Sequence, residues 1–123
     1  MQNKCCHEQE PNTVYFRQGE TFAAVYVYRV DNVPTLLEAG YKLVIGLYDA
    51  QNRLLKKGST EDGSIVVGRD NSYRMHVLHE ESMRMTGRVR MEVTIADDKN
   101  IVVNHASEYV VMIFEPRMNN TIL

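Results

Sequence analysis

The feature that most constrains this chain is the segment 87–97, where Val89, Met91, Val93 and Ile95 alternate with Arg88, Arg90, Glu92 and Thr94. A period of two places successive side chains on opposite faces, so the run specifies a β-strand with one buried and one wet face. Gly87 and Asp97-Asp98-Lys99-Asn100 bound it with turn chemistry. The segment 72–78 follows the same rule. Tyr73, Met75 and Val77 share the inner face, and His76 falls with Arg74 and Leu78 on the side turned to solvent.

Further strands are expected at 13–17, 21–29, 41–49, 53–57, 64–67, 101–104 and 109–114, from their β-branched and aromatic content between turn residues. The stretch 30–40, with Pro34 and Gly40, is expected as a loop with at most a helical turn. Glu80, Glu81, Met83 and Met85 favour one helical turn over 79–85. No helical period is sustained anywhere. About seven to nine short strands with regular turns predict an all-β fold, an antiparallel immunoglobulin-like β-sandwich, with a closed barrel as the alternative.

With 123 residues and a mass of 14.2 kDa, the chain suits one domain, placed at 13–116. Residues 1–12 are expected as a flexible N-terminal tail and 117–123 as a C-terminal tail. Hydrophobic residues make up 44% and charged residues 24%, a balance that folds without staples. The formal net charge of −2 supplies no electrostatic footprint for nucleic acid or an anionic membrane. Residues 1–12 read MQNKCCHEQEPN and lack the apolar run of a secretory signal, and the stretch 109–114 is too short to span a bilayer. A cytoplasmic or virion-associated protein is expected.

Chemistry-bearing motifs are sparse. Cys5 and Cys6 are adjacent, with no later cysteine to pair with, and ring strain disfavours a bond between neighbours. Cys5-Cys6-His7 lacks the four spaced ligands of a structural zinc site, and His79-Glu80-Glu81 lacks the second histidine of a metalloprotease helix. The pairs Glu61-Asp62 and Asp97-Asp98 lack the spaced pattern of a calcium loop and are expected as solvated turns. His105 is placed in a turn between the last two strands. No nucleophile, base and orienting group can be named together, so no catalytic, cofactor or metal residue is expected.

Two surface features remain. Arg74, Arg84, Arg88 and Arg90 share one outer face if strand 72–78 neighbours strand 87–97, and such a patch suits carboxylates or phosphates. The tyrosines Tyr26 and Tyr28 on one strand, with Tyr41, Tyr48, Tyr73 and Tyr109 elsewhere, offer a platform for a sugar or a protein, although half-buried core is the ordinary role of strand tyrosines. Met112-Ile113-Phe114 is apolar on both faces, so this strand is either central in the sandwich or covered by a partner. Tyr26, Tyr28, Met112 and Phe114 are therefore the candidate interaction surface.

One arrangement is more particular. Phe16-Arg17-Gln18-Gly19-Glu20-Thr21-Phe22 is followed by Pro34-Thr35-Leu36-Leu37, then by Gly40-Tyr41-Lys42 opening a strand. Leu78-His79-Glu80-Glu81-Ser82-Met83-Arg84-Met85-Thr86-Gly87 stands directly before the alternating strand. Over about 14–114 this resembles the immunoglobulin-like domain at the N-terminus of tailed-phage baseplate and tail-accessory proteins of the baseplate-upper-protein type. Ser82 stands where that family usually has threonine. The resemblance implies turn roles for Gly19 and Gly87 and a cap on a helical turn from Glu81 and Ser82. It also implies a non-enzymatic phage or prophage module that assembles with protein partners, copies of itself included. A free-standing module binding a carbohydrate or a peptide is the alternative, and an enzyme comes third.

Overall fold

The computed structural model describes residues 13–99 and 101–115. The alternating segment forms strand β9, Gly87–Ala96, and the alternation decides its orientation. Val89, Met91, Val93 and Ile95 are at most 2% exposed, while the residues between them are partly exposed or open to solvent. Burying each such side chain contributes roughly 1.5–3 kcal/mol. This strand therefore sits deep in a sheet, with an antiparallel neighbour on each side.

On one side lies β5, Lys42–Asp49, which turns Leu43, Ile45 and Leu47 into the same core. Beyond it β6, Leu54–Ser59, forms one edge. On the other side lies β10, Val102–Glu115, and beyond that β1, Thr13–Arg17, forms the second edge. Strand β1 runs parallel to β10, from Thr13 opposite Val111 to Arg17 opposite Glu115. This five-stranded sheet is therefore mixed, which corrects the expectation of purely antiparallel pairing. No hairpin joins these two strands, so nothing forces them to run antiparallel.

A second sheet has β8, Tyr73–Val77, between β2, Phe22–Tyr26, and β7, Ile65–Val67. Its inner residues Ala24, Ile65, Tyr73, Met75 and Val77 join those of the first sheet in a single core cluster. His76 is exposed between buried neighbours, as its position in the alternation requires. Three phenyl rings tie the sheets together. Phe16 of β1 stacks on Phe22 of β2 at 4.3 Å and on Phe114 of β10 at 5.2 Å.

Three expectations are corrected. The stretch 30–40 opens with a two-residue hairpin, β3 (Arg29–Val30) with β4 (Val33–Pro34), turning through Asp31 and Asn32 at φ 53° and 65°. Asp and Asn tolerate this left-handed backbone better than other non-glycine residues, which makes the tight turn accessible. Segments 101–104 and 109–114 are one strand, and His105 lies within it opposite Thr94. Register shifts between Val102 and Asn104 and between Ala106 and Val110 absorb a polar stretch that composition alone marks as a turn. Met112 and Phe114 are 3% and 1% exposed in the chain's own core, because β10 is an inner strand, so neither belongs to an interaction surface. Apart from the two-residue β3 and β4, eight strands are described, within the expected number.

The expected helical turn is α1, His79–Ser82. The turn between β1 and β2 docks on it. Gly19 at φ +90° donates its N–H to Ser82 Oγ at 2.8 Å, and Gln18 Nε2 donates to the Met83 carbonyl at 2.6 Å. His79 Nδ1 donates to the Gly19 carbonyl at 2.7 Å, a carbonyl being only an acceptor. Glu81 caps the turn by accepting the Leu78 N–H at 2.8 Å. Ser82 does not cap. Its hydroxyl, fully buried, holds the Gly19 turn instead.

Candidate functional site

At the end of the two sheets where β2 leads into β5, the chain builds a cleft from a loop that its own hydrogen bonds hold in place. The Tyr28 carbonyl accepts the Thr35 N–H at 2.8 Å, closing the base of the β3–β4 hairpin. Thr35 Oγ1 donates to the Val33 carbonyl at 2.6 Å, and Asn71 Nδ2 donates to the Pro34 carbonyl at 3.3 Å. The Leu37 N–H donates to the phenol oxygen of Tyr73 at 2.8 Å, and the Tyr41 N–H to the Glu38 carbonyl at 3.1 Å. Leu37 also packs against the core. A loop tied at five points to itself and to the second sheet needs little ordering when something binds.

The cleft has a volume of about 300 Å³, and Tyr28, Leu36, Leu37, Glu38, Tyr41 and Ile95 are among the residues that line it. Ile95 is the last inward residue of the alternating strand, so the cleft opens directly above the core. Tyr28 is partly buried against the core, whereas Tyr41 is 36% exposed and Leu36 47%. Of the sequence candidates, Tyr28 lines this cleft. Tyr26 lies partly buried against the core, opposite Tyr73 in the second sheet. Tyr41, another of the tyrosines named for a platform, lines the cleft as well, whereas Glu38 was not anticipated. The signal available was Leu36-Leu37, an apolar pair inside a segment that otherwise reads as a loop.

The arginine patch is divided by the topology. Strands β8 and β9 belong to different sheets, so Arg74 and Arg90 do not share a face. Arg74 donates to Ser72 Oγ at 2.8 Å and pairs with Asp70 at 3.3 Å. Arg90 is occupied on the outer face of the five-stranded sheet. It pairs with Glu92 at 2.7 Å, donates to Asn52 Oδ1 at 2.6 Å and lies 5.0 Å over the Tyr48 ring. That ring lies so close against the sheet that a Cβ on Gly46 would approach Tyr48 Cε1 to 2.8 Å. Glycine at 46 is what lets the ring lie flat.

The acidic turns serve the backbone. Asp97 accepts the N–H groups of Lys99 and Ile101, each at 2.9 Å. Asp62 accepts the Ser64 hydroxyl at 2.6 Å, and Asp70 the Ser72 hydroxyl at 2.6 Å; these bonds hold both carboxyls below the ordinary aspartate range. Asp49 is lowered chiefly by the Arg53 N–H. For Glu81 burial favours the neutral acid, but the Leu78 N–H and the Lys56 ammonium at 2.7 Å outweigh it, and the carboxyl lies below its usual value. Among the described residues no group of three or more His, Cys, Asp and Glu is placed to hold a metal ion. Cys5, Cys6 and His7 lie outside the described residues. No helix among the described residues is long and apolar enough to cross a membrane.

Comparison of the sequence with protein-family models and with curated proteins finds no match.

Proposed function

We propose that the chain is a non-enzymatic, immunoglobulin-like β-sandwich module of a tailed-phage or prophage particle, acting through protein–protein contacts in the tail or baseplate. Strand order supports the immunoglobulin-like part. Assigning β2, β8 and β7 as B, E and D, and β10, β9, β5 and β6 as G, F, C and C′, follows the strand order of a variable-type domain, with no described strand in the C″ place. In that assignment β1 is a first strand moved to the G edge.

The observation that carries the assembly reading is the meeting of the two motifs that bear the resemblance. Gln18-Gly19 and the segment 78–87 lie some sixty positions apart, yet three hydrogen bonds join them. A turn-on-helix contact of this kind holds structure and performs no chemistry, which suits a domain that spaces or attaches other components. Mass spectrometry of purified tailed particles from an induced culture of the source organism tests it. Stoichiometric presence of the chain is the expected result, and complete particles without it overturn the reading.

The loop-end cleft favours a second reading, a free binding module for a peptide or a carbohydrate. Its preformed wall and its two tyrosines are the features such a site uses.

A further inference from the structure

The loop-end cleft has a chemistry of its own, which stands independently of the assembly reading. Three of its main-chain donors are already used. The N–H groups of Thr35, Leu37 and Tyr41 are bonded to Tyr28, Tyr73 and Glu38, and the Thr35 hydroxyl donates to Val33. Among the described residues no lysine, arginine or histidine lines the cleft, so an anionic ligand would meet no counter-charge from them. The lining instead includes Glu38, whose carboxylate forms no hydrogen bond or ion pair among the described residues, together with Tyr28 and Tyr41 and the apolar Leu37 and Ile95. A carboxylate beside aromatic rings attracts a cation that carries hydrocarbon, since the ring quadrupole and the charge act in the same direction. The volume of about 300 Å³ is at the small end for ligand sites, the size of one side chain or a small amine.

We infer that this cleft binds an alkylammonium group, with Glu38 as counter-ion and Tyr28 and Tyr41 as aromatic walls. Such a group comes either from a lysine side chain of a protein or from a free small amine.

The test is a titration of the full chain followed by amide proton–nitrogen NMR. The probes are n-butylammonium, tetramethylammonium, N-acetyl-lysine methylamide and n-butanol as a neutral counterpart of the first. The proposal expects saturable shifts at Leu36, Leu37, Glu38 and Tyr41, with millimolar affinity for the cations and binding about fivefold weaker for the alcohol. Glu38→Gln and Tyr41→Leu, both at exposed positions, should each weaken the cations by about fivefold while leaving the rest of the spectrum in place. Tighter binding of the lysine derivative than of tetramethylammonium assigns the site to a protein side chain, and the reverse order to a free quaternary amine. The inference is overturned if no cation gives saturable shifts up to about 100 mM, if n-butanol binds as well as n-butylammonium, or if Glu38→Gln leaves the affinity unchanged.

Discussion

Ser82 Oγ accepts the backbone N–H of Gly19 at 2.8 Å, joining positions 63 residues apart at a site where the serine is fully buried. The contact fixes how the first strand pair meets the helical turn that launches the longest alternating strand. Without it, a partly buried N–H would have neither water nor protein as partner.

Ser82→Ala is therefore expected to destabilise the fold by about 1–3 kcal/mol, the usual cost of orphaning such a donor. Urea unfolding monitored by circular dichroism checks this. A loss smaller than that of an ordinary exposed substitution would show that the contact contributes nothing.

Two glycines of similar backbone separate strain from crowding. Gly63, at φ +83°, has nothing within 4 Å of an added Cβ, so Gly63→Ala should cost only the left-handed penalty, about 1–2 kcal/mol. At Gly19, φ +90°, the Cβ would also lie 2.9 Å from Met83 Sδ and 3.3 Å from His79 Cε1. Gly19→Ala should cost about 2–4 kcal/mol, combining strain with local overpacking. Equal losses in thermal unfolding would contradict the crowding at the α1 contact.

The depressed Glu81 carboxyl sets an acid dependence. A folded-state value below the ordinary 4.5 means the stabilisation is fully present above that pH and disappears as pH falls through the folded value. Asp49, Asp62 and Asp70 act in the same direction below the ordinary 3.8. Glu81→Gln should cost about 1–2 kcal/mol at neutral pH and nearly nothing at strongly acid pH. Stability curves of the two proteins that stay parallel down to acid pH would count against the Lys56–Glu81 and Leu78–Glu81 contacts as its source.

Phe114, 1% exposed and stacked on Phe16, belongs to the ring cluster that joins the sheets. Phe114→Ala should cost about 3–5 kcal/mol. Tyr15, 66% exposed on the neighbouring edge strand, serves as control, and Tyr15→Ser should stay within about 0.5 kcal/mol. Comparable losses for the two would place Phe114 outside the working core.

Much of the fold was legible, because burial of one strand face writes itself into a period of two. The sides taken by Val89, Met91, Val93 and Ile95, and by Tyr73, Met75 and Val77, follow from local order alone. The helical turn at 79–82 was legible as well. The 102–115 segment was misread where polar residues resembled a turn, since pairing with β9 overrides local composition. The site was less legible. Tyr28 and Tyr41 were noticed for their residue type, but nothing in the spacing announces that they share a wall with Glu38 and Ile95.

By itself the sequence determined most of the strands, the inward faces of β8 and β9 and several of the turns, because each depends on residues within a few positions of one another. Only the tertiary structure decided the partners: β1 beside β10 in parallel, Arg74 and Arg90 in different sheets, Met112 and Phe114 enclosed by the chain's own core, Gly19 on Ser82, and the cleft beneath Leu36 and Tyr41. Alternation encodes which side of a strand is buried but not what buries it. Closing long loops around a common core makes that choice, and its free energy is set by contacts remote in the chain.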